Sequence, residues 1–248
     1  MKEILITGAS SGIGRATSLA AAEAGWRVIA CGRDQARLDA LASEHAEIRT
    51  LAFDVANIEE CRAALNAVSP DVVLLNAGTC EYVDIDRWDI ELFRRVFNAN
   101  FFGVVNCLDP LLPNLRRGSQ LAFVDSLARL LPFTRSEAYG SSKAAVFYLA
   151  KTLEVDLKDR GVRVQTISPG FVETPLTESN DFAMPMQISA EEAATSIMQC
   201  ITRKTRDGYF PTMFATIIRS LSLMPMRLQT ALCGRLRSQA TAETKASR

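Results

Sequence analysis

The chain opens on an apolar run, Ile4-Leu5-Ile6, then a turn rich in glycine and serine, then small residues at helical spacing as far as Gly25. A short apolar run bounded by turn residues suits a strand buried on both faces. The alternation recurs along the chain. Further strands are predicted at 27–31, 48–53, 70–75, 120–125 and 162–167, and helices at 35–44, 58–67, 98–115 and 136–160. Pro110 and Pro113 should disturb the end of the helix over 98–115. Ser189-Ala190-Glu191-Glu192 has capping-box spacing and should open another helix. Repeated strand–helix units with right-handed crossovers predict an α/β fold: a doubly wound parallel sheet with helices on both faces, in a single domain over 1–238. Ligands of such sheets bind at the carboxyl ends of the strands. Gln239 to Arg248 reads as a disordered tail.

The region from Phe210 to Leu236 is dense in apolar residues, but Arg219, Pro225 and Arg227 interrupt it. A membrane-spanning helix is thereby excluded. Packing against the domain or a subunit partner is expected of this segment. The alternative is peripheral contact of 212–238 with an anionic membrane surface, since Arg219, Arg227, Arg235 and Arg237 accompany the apolar residues.

Composition narrows the function classes. With 248 residues, 48% of them hydrophobic, the chain can bury a large core. Its 28 basic and 28 acidic residues balance, so nothing points to nucleic acid. The six cysteines lack CxxC spacing, and the first strand leaves no room for a signal peptide, so a reduced, cytoplasmic protein is expected. A single histidine, His45, cannot form a metal cluster; no metal site is expected.

Two motifs carry chemistry. In the first, Gly8, Ser10, Ser11, Ile13 and Gly14 lie on the turn after the first strand. Glycines let a backbone approach a ligand, and the helix N-terminus behind them offers free N–H groups to a pyrophosphate. The spacing is GxxxGxG; a glycine turn that binds nothing is the plainer alternative. In the second, Tyr139 and Lys143 stand four apart, on one face of a helix. An ammonium beside a phenol should lower its pKa and ready it for proton exchange. An ordinary solvated pair is the alternative. At the end of the second strand, Gly32 occupies the position where NAD sites carry a carboxylate, and Arg33 follows. A guanidinium fork suits the 2′-phosphate of NADP. Asp34, one place on, argues the other way.

Together these motifs resemble the short-chain dehydrogenase/reductase family, and the resemblance runs in order along nearly the whole chain. TGASSGIG at 7–14 looks like its cofactor turn, and Asp54-Val55 falls where the family contacts adenine. Asn76-Ala77-Gly78 is similar to its NAG motif; Pro169-Gly170, with Val172 and Thr174, is similar to the segment that meets the nicotinamide. Asn100, Ser126, Tyr139 and Lys143 match its catalytic positions. The resemblance implies a Rossmann-type fold, NADP(H) as cofactor with Tyr139 and Lys143 also touching it, and hydride exchange with a carbonyl or secondary alcohol. It further implies roles: Tyr139 as acid or base, Ser126 holding the substrate oxygen, Lys143 tuning the tyrosine and gripping the ribose, Asn100 positioning a relay water. A homodimer or homotetramer built on helices near 98–117 and 137–160 is implied too.

Two departures touch specificity. Asp125 precedes Ser126, and Arg129 stands where the family often has glycine. Arg129 is expected on the rim of the cleft in water; recognition of a carboxylate or phosphate is the alternative. A flap over Pro175 to Ile188, carrying Phe182, Met184, Pro185 and Met186, favours a hydrophobic or lipid-like substrate. An acyl-thioester reductase using a basic surface near Arg129 and Arg135 is a narrower reading. A non-catalytic NADP-binding sensor is a different class, and would not need the four catalytic positions together.

Overall fold

The computed structural model describes residues 1–177 and 184–235. Seven strands form one parallel sheet: β1 (Glu3–Thr7), β2 (Arg27–Gly32), β3 (Ile48–Ala52), β4 (Val72–Leu75), β5 (Gln120–Val124), β6 (Arg163–Pro169) and β7 (Asp207–Phe210). Their order is β3-β2-β1-β4-β5-β6-β7. The connections reverse direction between β1 and β4, and the crevice this opens at their carboxyl ends is where such sheets take ligands. Helices α1 (Gly12–Glu23), α2 (Gln35–Glu44), α3 (Ile58–Leu65), α4 (Ile90–Phe97), α5 (Gly103–Leu111), α6 (Glu137–Asp156), α7 (Ala190–Arg203) and α8 (Thr212–Ser222) connect them, and a last described helix spans 226–235. β4, an unbroken apolar run, and β5, apolar after Gln120, are buried at every residue.

One apolar core lies between the sheet and the face covered by α1 and α7, including Ile4, Ile6, Val28 and Ile197. A second lies on the opposite face, where Leu5, Val73, Leu121 and Phe123 meet Val104, Leu111 and Val146. Alternate residues of β1 serve the two cores, as the period-two geometry of a strand demands.

The capping box forms: Ser189 Oγ accepts from the Glu192 N–H at 3.1 Å, and the Glu192 carboxylate accepts from the Ser189 N–H at 2.9 Å. Elsewhere the boundaries differ from expectation. The helix predicted over 98–115 is three pieces: a π-helical turn over Asn98–Phe102, α5, and a 3₁₀ turn over Leu112–Asn114. Pro110 sits inside α5 without ending it, and the chain leaves the helical path after Asn114. α4 and β7 were not anticipated. β7 is Asp-Gly-Tyr-Phe, four residues with no apolar run, and it is a strand because it pairs in parallel with β6 from Thr166↔Asp207 to Pro169↔Phe210.

The C-terminal segment packs on the domain. Phe214, Ala215 and Ile218 of α8 and Cys233 of the last helix bury against Leu127 and Leu131, which follow β5. No helix among the described residues is long and apolar enough to cross a membrane. The expected tail over 239–248 and Phe182 of the flap lie outside the described residues.

Candidate active site

A cleft of about 630 Å³ opens over the carboxyl edge of β1, β4, β5 and β6. It is lined by Gly8, Ser10, Ser11, Ile13, Gly14, Arg33, Asp54, Val55, Asn76, Ala77, Gly78, Ser126, Tyr139, Lys143, Pro169, Gly170, Val172 and Thr174. Every cofactor-contacting residue expected from sequence therefore borders one cavity. Of the four positions expected to be catalytic, Ser126, Tyr139 and Lys143 line it, and Asn100 lies just beneath.

The floor is fixed by a residue the motifs did not single out. Thr7 Oγ1, at the end of β1, accepts from the N–H groups of both Asn76 and Ala77 at 3.0 Å, while Asn76 Nδ2 donates to the Thr7 carbonyl at 3.0 Å. These bonds tie the ends of β1 and β4 at the switch point. Gly8 bends away at φ +69°, and a Cβ there would meet Ala77 Cα at 2.8 Å. A side chain at position 8 would therefore both strain the turn and push the two strand ends apart.

At the adenine end, Asp54 and Val55 are held from behind. Asn106 Nδ2 donates to the Val55 carbonyl at 2.9 Å, and the Asp54 N–H donates to Glu60 Oε2 at 2.8 Å. Arg33 reaches out of the cleft wall with a side chain 76% exposed, 3.5 Å from Asp54 Oδ2. Asp34 is engaged elsewhere: it caps α2, accepting from the Arg37 N–H at 3.1 Å, and its other oxygen pairs with Arg37 Nε at 3.2 Å. The carboxylate that argued against a phosphate is turned into a helix start.

At the other end, α6 presents Tyr139 and Lys143 side by side; Lys143 is buried, and Tyr139 is half-buried in the cleft wall. Lys143 Nζ donates to the Val124 carbonyl at 3.0 Å. Burial pushes Lys143 down to about 8, with Asp125 pulling the other way. Tyr139 moves opposite to the expectation from sequence: burial, reinforced by the Cys80 thiol, holds the phenol above its ordinary range. The bond with Ser126 pulls down but does not reverse this. Lys143 Nζ stands 5.9 Å from the Tyr139 ring centre, and its own charge is weakened by the same burial. The pair as built is a protonated phenol beside an ammonium that releases its proton readily.

Ser126 leaves β5 in an extended conformation and caps the short turn Leu127–Arg129, accepting from the Ala128 N–H at 3.1 Å. Asn100 is wholly buried in the π-helical turn. Its Oδ1 accepts from the Thr79 N–H at 2.7 Å, and its Nδ2 donates to the Thr79 carbonyl at 3.0 Å and to Ser142 Oγ at 2.9 Å. The side chain is thus a clamp joining the loop after β4 to α6. Ser142 and Thr79 were missed from sequence, since neither belongs to a motif. Thr174 is joined by Thr177: the Thr174 N–H donates to Thr177 Oγ1 at 3.0 Å, and Thr177 Oγ1 donates to the Val172 carbonyl at 2.8 Å.

Arg129 is not on the rim. Its side chain is 7% exposed, its Nε donates to Asp125 Oδ2 at 2.6 Å, and its guanidinium lies 3.5 Å over the Phe147 ring. The expectation failed because the charge carries its own partner, four residues back. Burial pushes Asp125 up to about 6, so it remains a carboxylate at neutral pH and keeps the pair charged. Arg129 therefore offers no free charge to a carrier-binding surface.

The chain belongs to the short chain dehydrogenase family, whose model matches residues 2–184. Among curated proteins, an uncharacterized oxidoreductase of Myxococcus xanthus is 34% identical over 244 residues, covering 94% of this chain and 96% of that one. A serine 3-dehydrogenase of Agrobacterium fabrum is 30% identical over 243 residues, covering 90% and 93%. Among solved structures, the closed form of a serine dehydrogenase complexed with NADP+ shares the fold, with a TM-score of 0.76 at 23% identity over 84% of this chain and 94% of that one.

Proposed function

We propose that this chain is an NADP(H)-dependent oxidoreductase that exchanges hydride between the nicotinamide and a carbonyl or secondary alcohol. The observation that carries the reading is the cleft itself, with Tyr139, Ser126 and Lys143 at one end and the exposed guanidinium of Arg33 at the other. The residues present fit a dinucleotide bearing a 2′-phosphate: Arg33 faces outward, and Asp34 is committed to capping α2. NADPH, when bound, supplies the hydride. Arg33 and Ser11 would hold the phosphate, and Asp54 and Val55 the adenine. Thr174, steadied by Thr177, would hold the carboxamide.

Ser126 Oγ and Tyr139 Oη face one substrate oxygen, so a carbonyl there is oriented before its carbon is attacked. As negative charge grows on that oxygen, Tyr139 Oη gives up its proton. A phenol held protonated by burial suits this reductive direction. Lys143 Nζ then restores the phenol proton, which a group shifted to about 8 can do near neutral pH. Asn100 holds the loop after β4 against α6 beside Lys143, and would position a relay water there.

A hydrophobic substrate is favoured by Leu176 at the cleft, 40% exposed, and by Met186 of the flap, 39% exposed. A small polar hydroxy acid is the second reading. It draws on the serine 3-dehydrogenase relative and on the Arg95–Glu81 pair, 2.6 Å apart, at the cleft mouth. Assembly as a homo-oligomer is supported by exposed Phe102, Val105, Tyr148 and Val155 on the π-helical turn, α5 and α6.

The test is turnover of reduced nicotinamide, NADPH against NADH, with ketones, aldehydes, acyl thioesters and hydroxy acids. NADPH-dependent turnover that Tyr139→Phe abolishes supports the reading. Tight NADPH binding without turnover on any class would favour the sensor.

A further inference from the structure

The family model ends at residue 184, well before α8 and the last helix. Their inner faces are spent on the core beside Leu127 and Leu131, but the outer face and the joining turn are not. Leu223 is 86% exposed, Met226 63% and Leu228 55%, all at or beside the turn; Met213 and Ile217 of α8 are 63% and 43% exposed. The turn is not loose. Gln229, only 5% exposed, donates from Nε2 to the carbonyls of Ser222 at 3.0 Å and Met224 at 2.7 Å, and the Leu228 N–H donates to the Pro225 carbonyl at 2.8 Å. A buried amide thus holds the backbone in a shape that keeps Leu223 and Met226 pointing outward.

The charges of this segment have one sign. Residues 208–235 contain Arg219, Arg227 and Arg235 and no Asp or Glu, in a chain whose overall charge is zero. All three arginines are exposed, and none has an ion-pair partner among the described residues. Arg219 rests on the Tyr209 ring at 4.3 Å, which leaves its hydrogen-bonding edges free. A second copy of the chain is a poor occupant, because two-fold pairing through this face would set arginines against arginines with no carboxylate between them. Lipid phosphates and carboxylates match it, and the bilayer interface takes apolar side chains at the same depth.

We propose that the turn between α8 and the last helix, with Leu223 and Met226 at its tip and Arg219 and Arg227 flanking it, docks the protein on an anionic lipid surface. The docking is peripheral: the tip inserts shallowly, and the basic collar pairs with headgroups.

The test is co-sedimentation of the full chain with phosphatidylcholine vesicles, with and without phosphatidylserine. It needs neither cofactor nor turnover, so its failure and a failure of the proposed reaction are separable. Binding should require phosphatidylserine and weaken with salt. Leu223→Asn/Met226→Asn should abolish it, and Arg227→Gln should weaken it about fivefold. Thermal unfolding would check that these exposed substitutions leave the fold intact. The proposal is overturned if wild-type chain ignores anionic vesicles. It is equally overturned if the tip variant binds as well as wild type, which assigns the contact elsewhere. A wild-type oligomer that the tip variant dissociates in the absence of lipid would overturn it in favour of a second copy.

Discussion

At the scale of single residues, burial sets the protonation states at the cleft. The Tyr139 phenol is held above its ordinary range and Lys143 is pushed down to about 8, both because a charge there loses water. Reduction needs the phenol proton and its resupply. The rate at saturating substrate should therefore decline as pH rises past about 8, following Lys143 rather than the phenol; a pH profile of kcat checks this, and a decline only above the ordinary tyrosine range would contradict it. The same shift has a stability consequence. Lys143 binds its proton less tightly folded than unfolded, so its cost is full below pH about 8 and fades as pH rises toward 10.5. Lys143→Met should therefore gain on wild type in denaturant midpoint at pH 7 and lose that advantage through this window. Arg33→Ala should raise the KM for NADPH about tenfold or more while leaving NADH unchanged, since a charge-assisted bond is worth about 1.5–3 kcal/mol. Steady-state kinetics with both cofactors reads it directly.

At the scale of elements, the cleft is a set of strand ends held by side chains from elsewhere. Asn100 is the clearest case: it joins the π-helical turn to Thr79 and Ser142. Asn100→Ala would leave the half-buried Thr79 N–H without its partner, a loss of about 1–3 kcal/mol. Ser142→Ala removes the bond from Asn100 and the local bond to the Tyr139 carbonyl but leaves Thr79 paired, and should cost less; chemical denaturation of the two variants distinguishes them. The elements also show what was legible in the sequence. The glycine turn, Asn76, Ser126, Tyr139 and Lys143 were readable because their chemistry needs particular residue types in a fixed order. β7 was not, because Asp207-Gly208-Tyr209-Phe210 has no strand pattern of its own and is defined by its partner. Asn100 was named from its motif, yet its clamp depends on Thr79 and Ser142, far apart in sequence. The Asp125–Arg129 pair was visible at a spacing of four, but nothing in the sequence said that Phe147 and Tyr209 would enclose it.

At the scale of the whole molecule, that pair ties the catalytic edge to the far side of the sheet. Arg129 spans from Asp125, next to Ser126, to Phe147 on α6, with Ser168 Oγ and Tyr209 Oη each 3.4 Å from its Nη2. Removing one partner leaves the other charge buried alone. Arg129→Met should destabilise the chain by about 3–5 kcal/mol, and adding Asp125→Leu should recover much of the loss. Denaturant midpoints of the two variants test it.

Gly170 has a consequence for how the chain can be rebuilt. A Cβ there would meet the Phe214 ring at 2.8 Å, so the strand end expected to face the nicotinamide and the first turn of α8 share one tight seam. The C-terminal segment is therefore no detachable module. A chimera that grafts a relative's segment after β7 must bring an aromatic of the same size and angle to that seam, or the loop from Gly170 to Thr174 will shift with it. Attempts to retarget substrate choice by exchanging the C-terminus alone should therefore alter cofactor affinity as well, and designs that treat the two as one transplantable block should fare better.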